Sequence, residues 1–301
     1  MKYIDREGNI TIDDSKQDQL LKKMYTTPLG RGVLKVLVQP FVSNVAGRFL
    51  DSGLSTFTIP EFVKRNNINM NDYEEETYSS YNEFFTRHIK KELRPLEGDE
   101  NTVVSPCDGK LSVYRINENS RFTIKNTRYS VKSLLRSREL AKRYEGGTLA
   151  VFRLTVDDYH RYSYIDSGVK SDEYFIQGVY HTVNPVANDV YPIYKENTRE
   201  FSLLKSDHFG TVLMMEVGAL LVGRIRNYKG HAKVSKGEEK GRFEFGGSTV
   251  VLMFQKDAVK IDSDIWNNTK KGYETIVRMG QKIGVSLKAK EIEDSLDVKE
   301  S

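Results

Sequence analysis

Apolar and polar positions divide the chain into two regimes. Between residues 29 and 97 apolar side chains recur at helical spacing. Val33, Leu34, Leu37 and Val38 share one face. Phe41, Val42, Val45 and Phe49 share another beyond Pro40, a residue that ends or kinks one helix and suits the first turn of the next. Helical patterns continue over 58–73 and 78–97, where Phe84, Phe85, His88 and Ile89 fall near one face and His88 has no evident partner. Ahead of them, residues 1–28 read as a short hairpin turning at Arg6-Glu7-Gly8-Asn9, then a polar helix over 15–24. From residue 98 the period shortens to β-runs separated by glycine-bearing turns: 102–104, 110–114, 149–154, 174–176, 211–217, 220–226 and 250–254, with one helix over 131–143. The pattern predicts an α+β fold. An N-terminal amphipathic helical region (1–97) packs on a mostly antiparallel β-rich domain (98–284), and a charged tail (285–301) frays.

Composition narrows the function classes only slightly. With 301 residues the chain can bury a substantial core, and 38% hydrophobic with 29% charged residues is ordinary for a globular protein. A net charge of +4, without basic residues interleaved with aromatics, gives no expectation of nucleic acid as a partner. One cysteine, Cys107, excludes an internal disulfide and fits a reducing compartment. The first residues lack the apolar core of a secretory signal, and their acidic residues argue against a transit peptide. Neither a metal-ligand spacing nor a dinucleotide or P-loop fingerprint is expected to function here. Residues 29–50 carry Arg31, Lys35 and Arg48 and no acid, yet Lys35, Gln39, Pro40 and Asn44 interrupt them too often for a comfortable membrane span. Two readings stay open for them. They are amphipathic helices on the protein's own core, or cationic helices in a membrane interface, where each basic residue near anionic lipid contributes about 1 kcal/mol.

Three short stretches hold candidate chemistry. In 236–254 (KGEEKGRFEFGGSTVVLMF), Phe243 and Phe245 alternate with polar residues before the apolar run 250–254. Between them Gly246 and Gly247 allow a strained or closely packed backbone, and the Ser248 hydroxyl stands next to the Gly247 carbonyl. Taken bare, this is a glycine bulge in a sheet. Ser105-Pro106-Cys107-Asp108-Gly109-Lys110 reads first as a tight turn with positive φ at Gly109. Asp157-Asp158-Tyr159-His160-Arg161 follows a strand and offers a base, or a loop histidine bonded to Asp157 or Asp158.

Together the three resemble the phosphatidylserine decarboxylases, with SP-x-DG-K, DYHR and KGEE-GRF-GGST following one another in that order, over residues 81–284. The resemblance implies a self-processing proenzyme cut at Gly247–Ser248, with Ser248 as nucleophile, His160 as base and Asp108 as the group that orients the base. It implies that residue 248 becomes a pyruvoyl group, the only cofactor, which forms a Schiff base with phosphatidylserine and yields phosphatidylethanolamine. Many relatives carry a second histidine three positions after the first; here that position is Ser163, so the base falls on His160, with His181 as a lesser helper. Cys107 replaces a small apolar residue and is expected to be buried and inert. Segments 180–185, 197–200, 216–219 and 222–223 also resemble the family and are expected to line a head-group pocket. The partners implied are the lipid substrate, an anionic membrane surface met peripherally on the cytoplasmic side of the cell membrane, and two chains from one precursor; a homodimer is left open. Two alternatives remain: a pyruvoyl decarboxylase of a soluble amino acid, and a non-enzymatic lipoyl-like β-module, suggested by the turns PCDGK and RMGQKIG.

Overall fold

The unbroken buried run Ser248–Phe254 forms a strand in the interior of the largest sheet. The computed structural model describes residues 2–12, 23–75, 77–124, 127–182, 192–219, 224–244 and 248–287. Within these residues the strands in chain order are β1 (Lys2–Ile4), β2 (Ile10–Ile12), β3 (Thr102–Val104), β4 (Gly109–Arg115), β5 (Arg121–Ile124), β6 (Thr127–Ser130), β7 (Thr148–Leu154), β8 (Arg161–Ser163), β9 (Gly168–Lys170) and β10 (Tyr174–Ile176). They continue as β11 (Arg199–Ser206), β12 (Thr211–Val217), β13 (Arg224–Asn227), β14 (Ala232–Val234), β15 (Glu239–Glu244), β16 (Ser248–Phe254), β17 (Val259–Ile261), β18 (Glu274–Val277) and β19 (Lys282–Ser286). The 11-stranded sheet runs β14-β9-β11-β12-β16-β7-β4-β18-β1-β2, with β10 also on β11.

Side chains alternate across a strand, so the two faces of this sheet bury two cores. Met214, Val250, Leu252, Ala150 and Phe152 face one that includes Tyr162 and Phe243. Leu213, Met215, Val251, Met253 and Val151 face another that includes Leu134 and Tyr194. A strand covered on both sides has no polar face to show, which is why β16 reads as a continuous apolar run. A small sheet, β13-β15-β8, contributes the Tyr162 and Phe243 layer. β17-β19-β3 form a third sheet and β5-β6 a hairpin.

The N-terminal helices are α1 (Pro28–Leu37), α2 (Pro40–Leu50), α3 (Ile59–Arg65) and α4 (Tyr81–Phe85). Pro40 opens α2 at its first turn, as the sequence predicts. Phe84 and Phe85 of α4 anchor a separate apolar cluster with Phe62 and Tyr78, joined by edge-to-face ring contacts. This region docks on the β-rich body through polar ties. Arg161 Nε donates to the Thr86 carbonyl (2.8 Å), Tyr180 N to the Val38 carbonyl (3.0 Å), and Arg224 pairs with Asp51 (2.9 Å). The fold is α+β, with helices set on an antiparallel β-rich body.

Several expectations change in detail. The helix over 131–143 is two, Val131–Leu135 and Arg138–Lys142, because Arg136 takes a left-handed φ of 52° and Ser137 caps the second. The tail was expected to fray from residue 285, but Val285 and Ser286 belong to β19 and pair with β3 and β17. The hairpin β1-β2 joins the sheet edge, with Tyr3 of β1 parallel to Glu274 of β18. The first part of the polar helix over 15–24, the first residues of 220–226 and most of the tail lie outside the described residues. Phe84 is fully buried, so Phe84→Ala should cost about 3 kcal/mol or more, seen as a lower urea midpoint at unchanged slope.

Candidate active site

Ser248 is the first residue of β16 and pairs with Leu154, the last residue of β7. The chain leaving β7 therefore passes Ser248 at once, and a closed turn holds it there. Asp158 accepts from Thr155 N (2.6 Å) and Thr155 Oγ1 (2.9 Å), while the Thr155 carbonyl accepts from Asp158 N (2.9 Å). Lys110 Nζ, from the adjoining strand β4, donates to both Asp158 oxygens (2.8 and 2.7 Å) and to Thr155 Oγ1 (2.6 Å). Burial pushes the Asp158 carboxyl up, but Lys110 and the Thr155 donors outweigh it and hold it below the ordinary range.

This turn delivers His160 to Ser248. Phe243 N donates to the His160 carbonyl (2.9 Å), and the Phe85 ring lies on the imidazole at 4.2 Å between centroids. Imidazole Nε2 meets the Thr155 carbonyl at 2.9 Å. A carbonyl only accepts, so Nε2 carries the hydrogen and Nδ1 the lone pair. Nδ1 faces Ser248 Oγ at 3.3 Å, and both side chains are buried. Burial lowers the His160 pKa to about 4, against the opposing pull of Asp158. The ring is neutral at ordinary pH with its lone pair on the hydroxyl, the state a general base requires.

The structure brings His160 and Ser248 together and does not bring Asp108 to either. Asp108 accepts from Arg94 Nε (2.8 Å) and Nη2 (2.5 Å) and from Met279 N (2.8 Å). The orienting contact expected of Asp108 is made by the Thr155 carbonyl, because Arg94 already occupies the carboxylate. Nor is His160 bonded to Asp157 or Asp158; Asp158 acts one step away, through Thr155. Gly109 has the expected positive φ (155°), and a Cβ there would stand 3.0 Å from the Arg153 carbonyl oxygen. Cys107 is fully buried, and burial pushes its thiol well above the ordinary range, as expected of an inert residue. Gly246 and Gly247 lie outside the described residues.

The other histidines serve elsewhere. His181 meets the Tyr25 hydroxyl (3.3 Å) and Glu196 (3.4 Å). His88 does have a partner, Glu75, and His208 is held by Asp166. Segments expected near a head-group pocket do converge in part: Asn197 Nδ2 donates to the carbonyls of His181 (2.7 Å) and Gly218 (2.8 Å). Residues 183–185 and 222–223 lie outside the described residues. Among the described residues no group of three or more His, Cys, Asp or Glu side chains is arranged to hold a metal ion. Sequence reasoning missed Thr155, and it missed the roles of Asp158 and Lys110, which it had named only as members of their motifs. The signal for them was a threonine three residues before an aspartate at a strand end, the pattern of a side-chain-closed turn.

A buried hydroxyl under a neutral imidazole, at the point where a chain enters a sheet, suits a nucleophile that acts on its own backbone, as in self-processing proenzymes. The chain belongs to the phosphatidylserine decarboxylase family: that family's model matches residues 81–285. Among curated relatives, the phosphatidylserine decarboxylase proenzyme 2 of Clostridium acetobutylicum is 44% identical over 266 residues, covering 88% of this chain and 91% of its own. The phosphatidylserine decarboxylase proenzyme of Clostridium botulinum (strain Hall) is 40% identical over 292 residues, covering 95% and 99%. That of Clostridium perfringens is 42% identical over 266 residues, covering 86% and 90%. The protein is a decarboxylase, a carboxy-lyase.

A nitrogen-detected NMR titration of the Ser248→Ala protein should find His160 neutral down to about pH 4, with its hydrogen on Nε2. An unfolded chain takes up that proton near the ordinary value of 6.5, so this group's contribution to stability should fall as pH drops from 6.5 towards about 4 and level off below. Combining Ser248→Ala with His160→Gln should remove that part of the slope.

Proposed function

We propose that the chain is a phosphatidylserine decarboxylase proenzyme that cuts itself between Gly247 and Ser248, and that residue 248 becomes its pyruvoyl group. The supporting observation is the 3.3 Å contact between Ser248 Oγ and a neutral His160 whose hydrogen is held on the far nitrogen. His160 Nδ1 takes the hydroxyl proton, and Oγ adds to the Gly247 carbonyl carbon, moving the acyl group from nitrogen to oxygen. Loss of the α-hydrogen of residue 248 then expels the Gly247 carboxylate. Addition of water and loss of ammonia leave a keto group at the start of a smaller chain, 248–301, beside a larger one, 1–247.

The residues present fit such a group, since the cut falls at the first residue of β16 and every pairing from Ser248↔Leu154 onward stays in place. Once formed, a pyruvoyl carbonyl supplies an electron sink for the pair left behind by carbon dioxide. His160 stays beside residue 248, and its Nδ1, once it has taken up a proton from solvent, can pass that proton to the carbon that lost its carboxylate. Phosphatidylserine is the substrate on this reading, and phosphatidylethanolamine the product.

Residues 98–284 supply the chemistry in this proposal, and residues 1–97 the contact with lipid. No helix among the described residues is long and apolar enough to cross a membrane. The helical region nonetheless exposes large apolar side chains: Leu29 (82% exposed), Phe41 (74%) and Phe57 (74%), with Val33, Val45, Phe49 and Leu54. Leu34 and Val38 turn inward, so one helical pair both packs on the protein and presents a greasy face. Arg31, Lys35 and Arg48 accompany that face. A peripheral position on an anionic membrane, at its cytoplasmic side, accounts for both features.

Intact-mass measurement tests the cut. Wild-type protein should appear as two chains, the smaller starting without a free amine, whereas Ser248→Ala and His160→Ala should remain single. Asp108→Asn should still cleave, because its carboxylate is bound to Arg94 and not to the reacting pair. A wild-type chain that stays whole while decarboxylating phosphatidylserine would sink the mechanism. Vesicle flotation tests the surface: Phe41→Ser with Phe57→Ser should lower binding to anionic vesicles and leave self-cleavage intact, and added salt should weaken wild-type binding.

A further inference from the structure

The face of the large sheet that carries Ser248 carries a second reactive group, unused in the proposed cleavage. Glu216 of β12 stands opposite Val250 of β16, two residues from Ser248 and on the same face. Diagonal neighbours of this kind have Cα atoms about 7–8 Å apart, within reach of a long side chain. On its other side Glu216 lies directly opposite Glu200 of β11. Two ionised carboxylates so placed destabilise a sheet.

Glu216 is fully buried. Its Oε2 accepts from Lys240 Nζ (2.8 Å) and Asn227 Nδ2 (3.3 Å), while its Oε1 has no hydrogen-bond partner among the described residues. Glu200 accepts from Asn227 Nδ2 (2.9 Å), and the Tyr162 hydroxyl donates to Asn227 Oδ1 (3.3 Å). Glu173 Oε1 pairs with Lys240 (3.1 Å) and Lys170 (3.0 Å), and its Oε2 is likewise buried without a partner. Lys170 is otherwise tied to the carbonyls of Ser171, Lys229 and Gly230. Arg226, mostly exposed on β13, adds a positive charge felt by Glu200. Inside the layer, three carboxyl groups therefore face two ammonium groups. Burial pushes the Glu216 carboxyl above its ordinary range, with Lys240 opposing and Glu173 adding to the push.

We propose that Glu216 is a further catalytic residue, whose free Oε1 receives a proton from the substrate ammonium as that amine comes to residue 248. The assignment rests on the reading that residue 248 becomes the reactive carbonyl. Phosphatidylserine carries its amine as an ammonium ion, and an ammonium nitrogen has no lone pair with which to attack carbon. Transfer breaks one N–H bond and forms one O–H bond at Oε1. A cation and an anion become a neutral amine and a neutral acid, so no new charge is left in the buried layer. The departing product amine takes the proton back, which restores Glu216 for the next turnover. The unpaired oxygen and the surplus negative charge, costly in a purely structural cluster, are what an incoming ammonium requires.

Glu216→Gln keeps the shape of the side chain and removes its basicity. Processed wild-type and variant enzymes are compared with two probes: hydroxylamine, neutral at neutral pH, read as a mass increase of the small chain, and phosphatidylserine in mixed micelles, read as carbon dioxide release. The variant should self-cleave and form the hydroxylamine adduct at the wild-type rate. Its kcat/KM on the lipid should fall about a hundredfold, the low end of what a positioned acid–base group contributes, and the deficit should shrink as pH rises and more amine arrives neutral. Glu216→Asp should recover part of the loss. Equal losses on both probes, or none on the lipid, would overturn the assignment alone. Absence of any hydroxylamine adduct on the wild-type small chain would overturn the proposed function and this inference with it. Should Glu216→Gln fail to fold, the wild-type pH profiles decide. Lipid turnover should fall with decreasing pH through a range where the hydroxylamine rate is level, and parallel profiles would refute the role.

Discussion

The site hangs on a buried ion pair. Lys110 and Asp158 meet at 2.7 Å with both side chains largely out of water. Asp158 uses the same carboxylate to close the turn on Thr155, whose carbonyl sets the tautomer of His160. Removing Lys110 would leave a buried charge uncompensated, a loss of about 3–5 kcal/mol for pairs of this kind. The more direct consequence is chemical. An unpaired Asp158 would rise towards neutrality, its grip on Thr155 would weaken, and the lone pair on Nδ1 would lose its aim at Ser248. Lys110 sits on β4, beside Arg153 of β7 in the register, so the base is ultimately positioned by strand pairing.

The same pairing would keep the fold together after the proposed cut at residue 248. β16 lies between β12 and β7, both upstream of the cut, and β18 lies between β4 and β1. Two strands of the smaller piece are thus interleaved with strands of the larger. The Arg153–Glu274 pair (2.6 Å) and the Met279 N to Asp108 bond (2.8 Å) also cross between the pieces. Separating them would require opening the sheet along β16 and β18, exposing both cores. Breaking one backbone bond at the edge of β16 removes none of these contacts.

Architecture was legible wherever local pattern and burial agree. The Pro40 break, the runs 102–104, 174–176 and 211–217, and the doubly buried β16 were all readable, because each follows from residue type and period alone. β8 (RYS), β9 (GVK), β14 (AKV) and β17 (VKI) escaped notice: each mixes a basic residue with its apolar ones, unlike the unbroken β-formers of 102–104 and 174–176, and each exists because a neighbouring strand offers hydrogen bonds. At the site, Ser248 and His160 were legible through their motifs, and their contact is in the structure. The partner of His160 was not, since a backbone carbonyl leaves no mark in residue identity. Asp108 misled for a related reason. Its turn is tied to β8 through Ser163 N and the Pro106 carbonyl (2.8 Å), which sets it beside position 163 and away from position 160. Glu216 looked like part of a segment, and only the register showed it sharing a face with Ser248.

The helical region and the site are one mechanical unit. Phe85 closes the outer side of the His160 ring, and the next residue, Thr86, receives Arg161 through its carbonyl. Phe84 and Phe85 are fixed in a cluster that includes Leu50 from α2 and Ile59 from α3. Between those last two residues the chain exposes Leu54 and Phe57. The segment whose greasy side chains face outward is therefore packed, through a single apolar cluster, on the ring that covers the base. A phospholipid has its reacting amine and its apolar tails at opposite ends. On the proposed membrane reading, an enzyme that takes such a molecule from a surface needs its buried imidazole and its outward apolar side chains held in fixed relation, and the α2–α4 cluster would provide that relation without any residue having to touch both.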